Sequence, residues 1–194
     1  MRIHTVGDSH SHCAWPDYVI PHHLGAILCY SFGKEKLERC DLRDLDIEDG
    51  DTVIFCFGEI DCRCHIHKYI TEDVTYQNII DELVTNYFEA IEITTSKIKL
   101  KNIGVYNVVP PNNGGTSPRD WAGHSKPEEQ RKRFVEYFNQ QLKLKCEEYG
   151  YWFVDIYDKY TDDTGWLNPS MSDGHMHIDY GLPLYEHMEA YLRE

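Results

Sequence analysis

The chain has 194 residues, 41% hydrophobic and 27% charged, which suits one domain spanning 1–194 with a full apolar core. Its formal net charge is -14. An acidic surface repels phosphate backbones and anionic lipid, so nucleic acid and membrane surfaces are set aside as partners. Seven cysteines, an odd number at irregular spacings, read as reduced thiols. The first residues lack a basic stretch followed by an apolar core, and no apolar run is long enough to span a bilayer. A cytoplasmic location is expected.

Taken in chain order, Arg2 to Val6 reads as a short buried strand. The apolar run from Leu24 to Tyr30 reads as a second strand that turns at Gly33. Lys34 to Asp49 is polar with spaced leucines and suits a short helix and a loop. Thr52 to Phe57 is continuously apolar and ends at Gly58, the pattern of a strand covered on both faces of a parallel sheet. Ile79, Ile80, Leu83, Val84, Tyr87, Phe88 and Ile91 recur at helix spacing and predict a helix over Tyr76 to Ile98. Ile103 to Val109 is a strand stopped by Pro110-Pro111, and Asn112 to Lys126 is a polar loop. Ser125, as N-cap, opens a helix that closes at Gly150. Tyr151 to Ile156 is the last strand, and Gly181 to Leu192 the closing helix. Strands alternating with helices predict an α/β fold: a three-layer α/β/α, doubly wound parallel sheet. Such sheets bind ligands at the carboxyl ends of their strands.

The chemistry-bearing residues fall near those ends. Gly7-Asp8-Ser9-His10-Ser11 follows the first strand, and Asp173-Gly174-His175-Met176-His177 lies near the C-terminus. A serine is a weak nucleophile until a histidine takes its proton and a carboxylate orients that histidine. Ser9, His177 and Asp173 supply those three types, with His175 in reserve as base. A middle segment, Gly58-Glu59-Ile60-Asp61-Cys62-Arg63, reads as a further piece of the site.

Over nearly its whole length, and in the order of these motifs, the chain resembles the SGNH (GDSL-like) hydrolase family. The resemblance implies a flavodoxin-like three-layer fold and a serine esterase, or acyltransferase, acting on an O-acyl group on a carbohydrate. It implies Ser9 as nucleophile, Asp173 and His177 as its partners, and the N–H groups of Ser9 and Gly33 as donors to the oxyanion. The chain departs from the family at Ile60, where an asparagine donor normally stands; Arg63 is the nearest substitute. A second departure is the spacing of Asp173 and His177, one residue longer than usual, so that this loop must bulge. Glu59, Asp61, Asn112 and Trp121, with Arg119 and His124, are expected to line the substrate cleft. No cofactor and no metal is expected, and the partner is a small-molecule or glycan ester; the oligomeric state is left open.

Two other readings compete. Asp8, His10, His175 and His177 form Asp-x-His and Gly-His-x-His patterns that occur in dinuclear-metal phosphoesterases. The further motifs of that class, Gly-Asp-x-x-Asp and Gly-Asn-His, are missing. Cys62, Cys64, His65 and His67 lack the second cysteine pair that a structural zinc site uses. The remaining alternative is a non-catalytic binding module of the same fold, against which stands the presence of Ser9, Asp173 and His177 together.

Overall fold

The run Thr52–Cys56 forms the middle strand of a five-stranded parallel sheet in the computed structural model, which describes residues 1–114 and 127–193. The strands are β1 (Ile3–Gly7), β2 (Val19–His23), β3 (Thr52–Cys56), β4 (Asn102–Tyr106) and β5 (Trp152–Val154), in the order β2-β1-β3-β4-β5. Each neighbouring pair is parallel, and the order reverses at β1 and β3. The helices are α1 (Cys29–Glu35), α2 (Glu59–Cys64), α3 (Tyr76–Thr95), α4 (Pro127–Tyr149) and α5 (Leu182–Arg193).

Side-chain alternation along β3 divides the core into two layers. Val53 and Phe55 join Phe32 of α1, Tyr87 and Phe88 of α3 and Phe138 of α4 on one face. Ile54 and Cys56 join Tyr106, Val154, Leu184 and Met188 on the other, under α5. The expected three layers are therefore present, with both faces of the sheet covered. Among the described residues, no helix is long and apolar enough to cross a membrane.

Two local readings need correction. The second strand is Val19–His23, and the apolar run after it is a loop that enters α1 at Cys29. Val19–His23 pairs with β1 alone, which makes it an edge strand. Pro21, which cannot donate to a ladder, and two histidines are tolerated there, and they remove the apolar signature. The segment Lys34 to Asp49 forms two 3-10 turns, Lys36–Glu38 and Leu42–Asp44, after the end of α1. The Ser125 N-cap lies outside the described residues.

Candidate active site

Gly7 ends β1 against β3 so closely that a Cβ there would lie 2.0 Å from the Cys56 carbonyl oxygen. Only glycine fits, and the chain then turns sharply. The Asp8 N–H donates to that same carbonyl at 3.1 Å. The Asp8 side chain accepts from the His10 N–H at 2.9 Å, capping the 3-10 turn Ser9–Ser11. This cap places Ser9 at the turn's first position, just past the carboxyl end of β1.

The C-terminal loop meets it there. His177 Nε2 is 2.8 Å from Ser9 Oγ, and His177 Nδ1 is 2.8 Å from Asp173 Oδ2. A carboxylate only accepts, so Nδ1 carries the hydrogen and Nε2 receives the serine hydroxyl's. The long spacing between Asp173 and His177 is absorbed by a tight loop. Asp173 Oδ1 accepts the backbone N–H groups of His175 (2.8 Å) and His177 (3.2 Å), and the Asp173 N–H donates to the His177 carbonyl at 3.1 Å. Gly174 takes φ +83°, the left-handed conformation that glycine adopts without strain. Partial burial pushes the Asp173 carboxyl up, but the His177 side chain and the two amides outweigh it and hold the group below the ordinary carboxylate value. His175 is exposed, and its carbonyl accepts from Asn112 Nδ2 at 2.8 Å.

The other expected site residues divide. Asn112 reaches the site, but as a brace for the Gly174–His175 backbone. Its own carbonyl accepts from Arg131, a buried residue of α4. Arg63 donates from Nε to Glu59 Oε1 at 2.7 Å, one turn back along α2. Both line a narrow space of about 10 Å³ with Asn112 and Met176. Trp121, Arg119 and His124 lie outside the described residues.

Two assignments are overturned. Gly33 is not at a strand end. It lies inside α1, buried against Asn86 of α3, so its N–H is not offered to the site. Asp61 does not face substrate. Its oxygens accept the backbone N–H groups of Cys29 (2.7 Å) and Tyr30 (3.1 Å), so it caps α1 from thirty residues away. Burial raises its carboxyl to about 7 against the opposing pull of those amides. The glycine that does follow a strand end on this side of the sheet is Gly25. The Leu24 N–H donates to the Gly7 carbonyl at 2.9 Å, and Gly25 follows with φ +94°, two residues past the end of β2. Its signal was a glycine following a strand, obscured because β2 itself is hard to read.

Sequence reasoning also passed over His10, weighed only as a metal ligand. Nδ1 is 3.1 Å from Asp8 Oδ1, and Nε2 is 3.2 Å from the Met176 carbonyl. His177 has both ring nitrogens engaged on Ser9 and Asp173. Three of the four residues of the dinuclear-metal alternative are thus bonded to protein partners. Among the described residues, no group of three or more His, Cys, Asp or Glu side chains could hold a metal ion.

No family model and no curated protein matches the chain. Solved structures do. A GDSL-like lipase from Bacteroides thetaiotaomicron superposes with a TM-score of 0.66 at 16% identity, covering 99% of this chain and 85% of that one. A catalytic mutant of an acetylxylan esterase from Geobacillus stearothermophilus gives 0.62 at 13%, covering 99% and 92%. A member of the lipolytic G-D-S-L family from Veillonella parvula gives 0.60 at 15%, with both chains covered in full. At these identities the likeness is one of architecture, and it agrees with the parallel sheet and helical layers described above. The chain has the fold of the SGNH/GDSL-like hydrolases.

Proposed function

We propose that the chain is a serine esterase that removes a short O-acyl group from a carbohydrate. The observation that carries this reading is the chain of two 2.8 Å hydrogen bonds from Ser9 through His177 to Asp173. In this mechanism His177 Nε2 takes the hydroxyl proton as Ser9 Oγ attacks the ester carbonyl. Asp173 keeps the proton on Nδ1 and stabilises the imidazolium. The N–H groups of Ser9 and Gly25 receive the oxyanion. The alkoxide leaves with the proton from His177, and water repeats the sequence on the acyl-enzyme. Ile60 supplies no donor, and a single such donor is worth about 10²–10³ in rate. A modest kcat is therefore expected.

Narrow space around the site supports a short acyl group. The cavities that adjoin the site, one lined by Glu59, Asn112 and Met176 and one by Asp8, His10 and Tyr106, are each about 10 Å³. A cavity of about 300 Å³ opens between α1, α2 and α3, but no triad residue lines it. Neither of these two small spaces would take a long acyl chain. The acetylxylan esterase among the structural neighbours lends support to a carbohydrate ester. Free thiols at all seven cysteines support a reducing, cytoplasmic location.

The test is hydrolysis of an aryl acetate and of an acetylated xylo-oligosaccharide. Ser9→Ala is expected to abolish both with folding intact, and EDTA to leave the wild type unaffected. Activity that EDTA removes and manganese or zinc restores, directed at phosphate esters, would favour the metal alternative instead.

A further inference from the structure

We propose that His10 is a positioning residue: a buried, doubly protonated imidazolium that ties the turn holding Ser9 to the loop holding Asp173 and His177. This inference rests on the esterase reading for its kinetic consequences, but its geometry stands apart from it.

His10 is 4% exposed. Its two ring nitrogens face two groups that can only accept: the Asp8 carboxylate at 3.1 Å and the Met176 carbonyl at 3.2 Å. A neutral imidazole has one N–H and could satisfy one of them; the imidazolium satisfies both. Leaving either acceptor against a bare ring nitrogen in a buried site would forfeit a charge-assisted or a neutral hydrogen bond and place lone pairs face to face. Burial alone would pull the group down, but the hydrogen bond and charge of Asp8, the charge of Glu59 and the Met176 carbonyl raise it to about 9. The titratable and charged groups around the ring are Asp8 and His12 on its own turn, Glu59 on α2 and His177 on the C-terminal loop.

The link is placed where it matters to catalysis. Met176 immediately precedes His177, and the His10 and His177 rings lie 4.9 Å apart. Asp8, Ser9 and His10 are consecutive, so one end of the clamp fixes the nucleophile's turn and the other fixes the base's backbone. Between those ends the sequence separation is 166 residues. The loop is also held by Asn112, by the His177–Ser9 hydrogen bond and by the backbone pairing of Ser172 with Ile178.

Three measurements test this. Nitrogen-15 spectra of the histidine rings, recorded at about pH 8, are expected to show both His10 nitrogens protonated, where an unperturbed histidine is neutral. This readout needs no substrate, so it survives if the esterase reading fails. Amide exchange over 173–177 is expected to quicken in His10→Phe, again without substrate. With an aryl acetate, His10→Phe is expected to lose about tenfold or more in kcat with KM nearly unchanged, since small misplacements of reacting groups are costly. His10→Gln, which can donate to one of the two acceptors, should recover part of that loss. In the wild type kcat should fall as pH rises through about 9, and His10→Gln should lack that limb. A His10 ring with one bare nitrogen at about pH 8 would overturn the proposal. So would normal kcat and unchanged loop exchange in His10→Phe.

Discussion

At the scale of single residues, the site is a division of labour among side chains that differ little in type. Of the histidines on the C-terminal loop, His177 reaches both Ser9 and Asp173, while His175 is exposed and contributes its backbone to Asn112 and Asp173. Replacement of His177 with alanine should therefore cost orders of magnitude in kcat, about 10³ or more, because the serine loses its base. Replacement of His175 should cost less than about tenfold. Steady-state kinetics on both variants checks the contrast, and an essential His175 would reverse the assignment. That Asp173, His177 and Ser9 would meet was legible in the sequence from their types and order. The role of His10 was not legible. A histidine two residues after an aspartate looks like a metal ligand until the Met176 carbonyl is seen to face its other nitrogen.

At the scale of elements, the sheet's middle strands were read correctly because burial on both faces leaves an unbroken apolar run at Thr52–Cys56. The edge strand Val19–His23 escaped because an edge needs no such run, and its loss displaced Gly33 into an imagined strand end. The cap on α1 was out of reach for a different reason. The N-cap residue is Leu28, which has no side-chain acceptor, so the first-turn amides of Cys29 and Tyr30 are met by Asp61 of α2. A long-range cap leaves no local signature. Two first-turn amides that lose a shared carboxylate should destabilise the fold by about 1–3 kcal/mol in Asp61→Ala. Thermal unfolding should show a lower Tm for that variant, while kcat measured well below the transition stays close to wild type. A large fall in kcat at unchanged Tm would return Asp61 to the site.

At the scale of the whole molecule, buried histidines at the two ends of β1 set opposing limits on pH. His4 is buried, with Nε2 3.1 Å from Asp51 and Nδ1 2.9 Å from His22. Burial holds His4 below the ordinary histidine value of 6.5 despite Asp51, and burial followed by the charge of His4 does the same to His22. Both stay neutral when folded, so their contribution is present above about 6.5 and lost as pH falls, because the unfolded chain takes up protons that the folded one refuses. His10 runs the other way. Raised to about 9, its contribution is present below the unfolded value and lost as pH rises through about 9. The histidine contribution to Tm should accordingly be largest near 6.5 and fall as pH rises from there through about 9. His10→Gln should flatten the alkaline side alone. An alkaline fall in Tm that persists unchanged in His10→Gln would contradict this account.

The central claim is that Ser9 is a nucleophile activated by His177. The most direct measurement is covalent labelling with a fluorophosphonate followed by peptide mass spectrometry. The wild type should take up one phosphonyl group per chain, on Ser9, and His177→Ala should label far more slowly. A wild type that hydrolyses esters yet carries no label on Ser9, or a label on another residue, would contradict it.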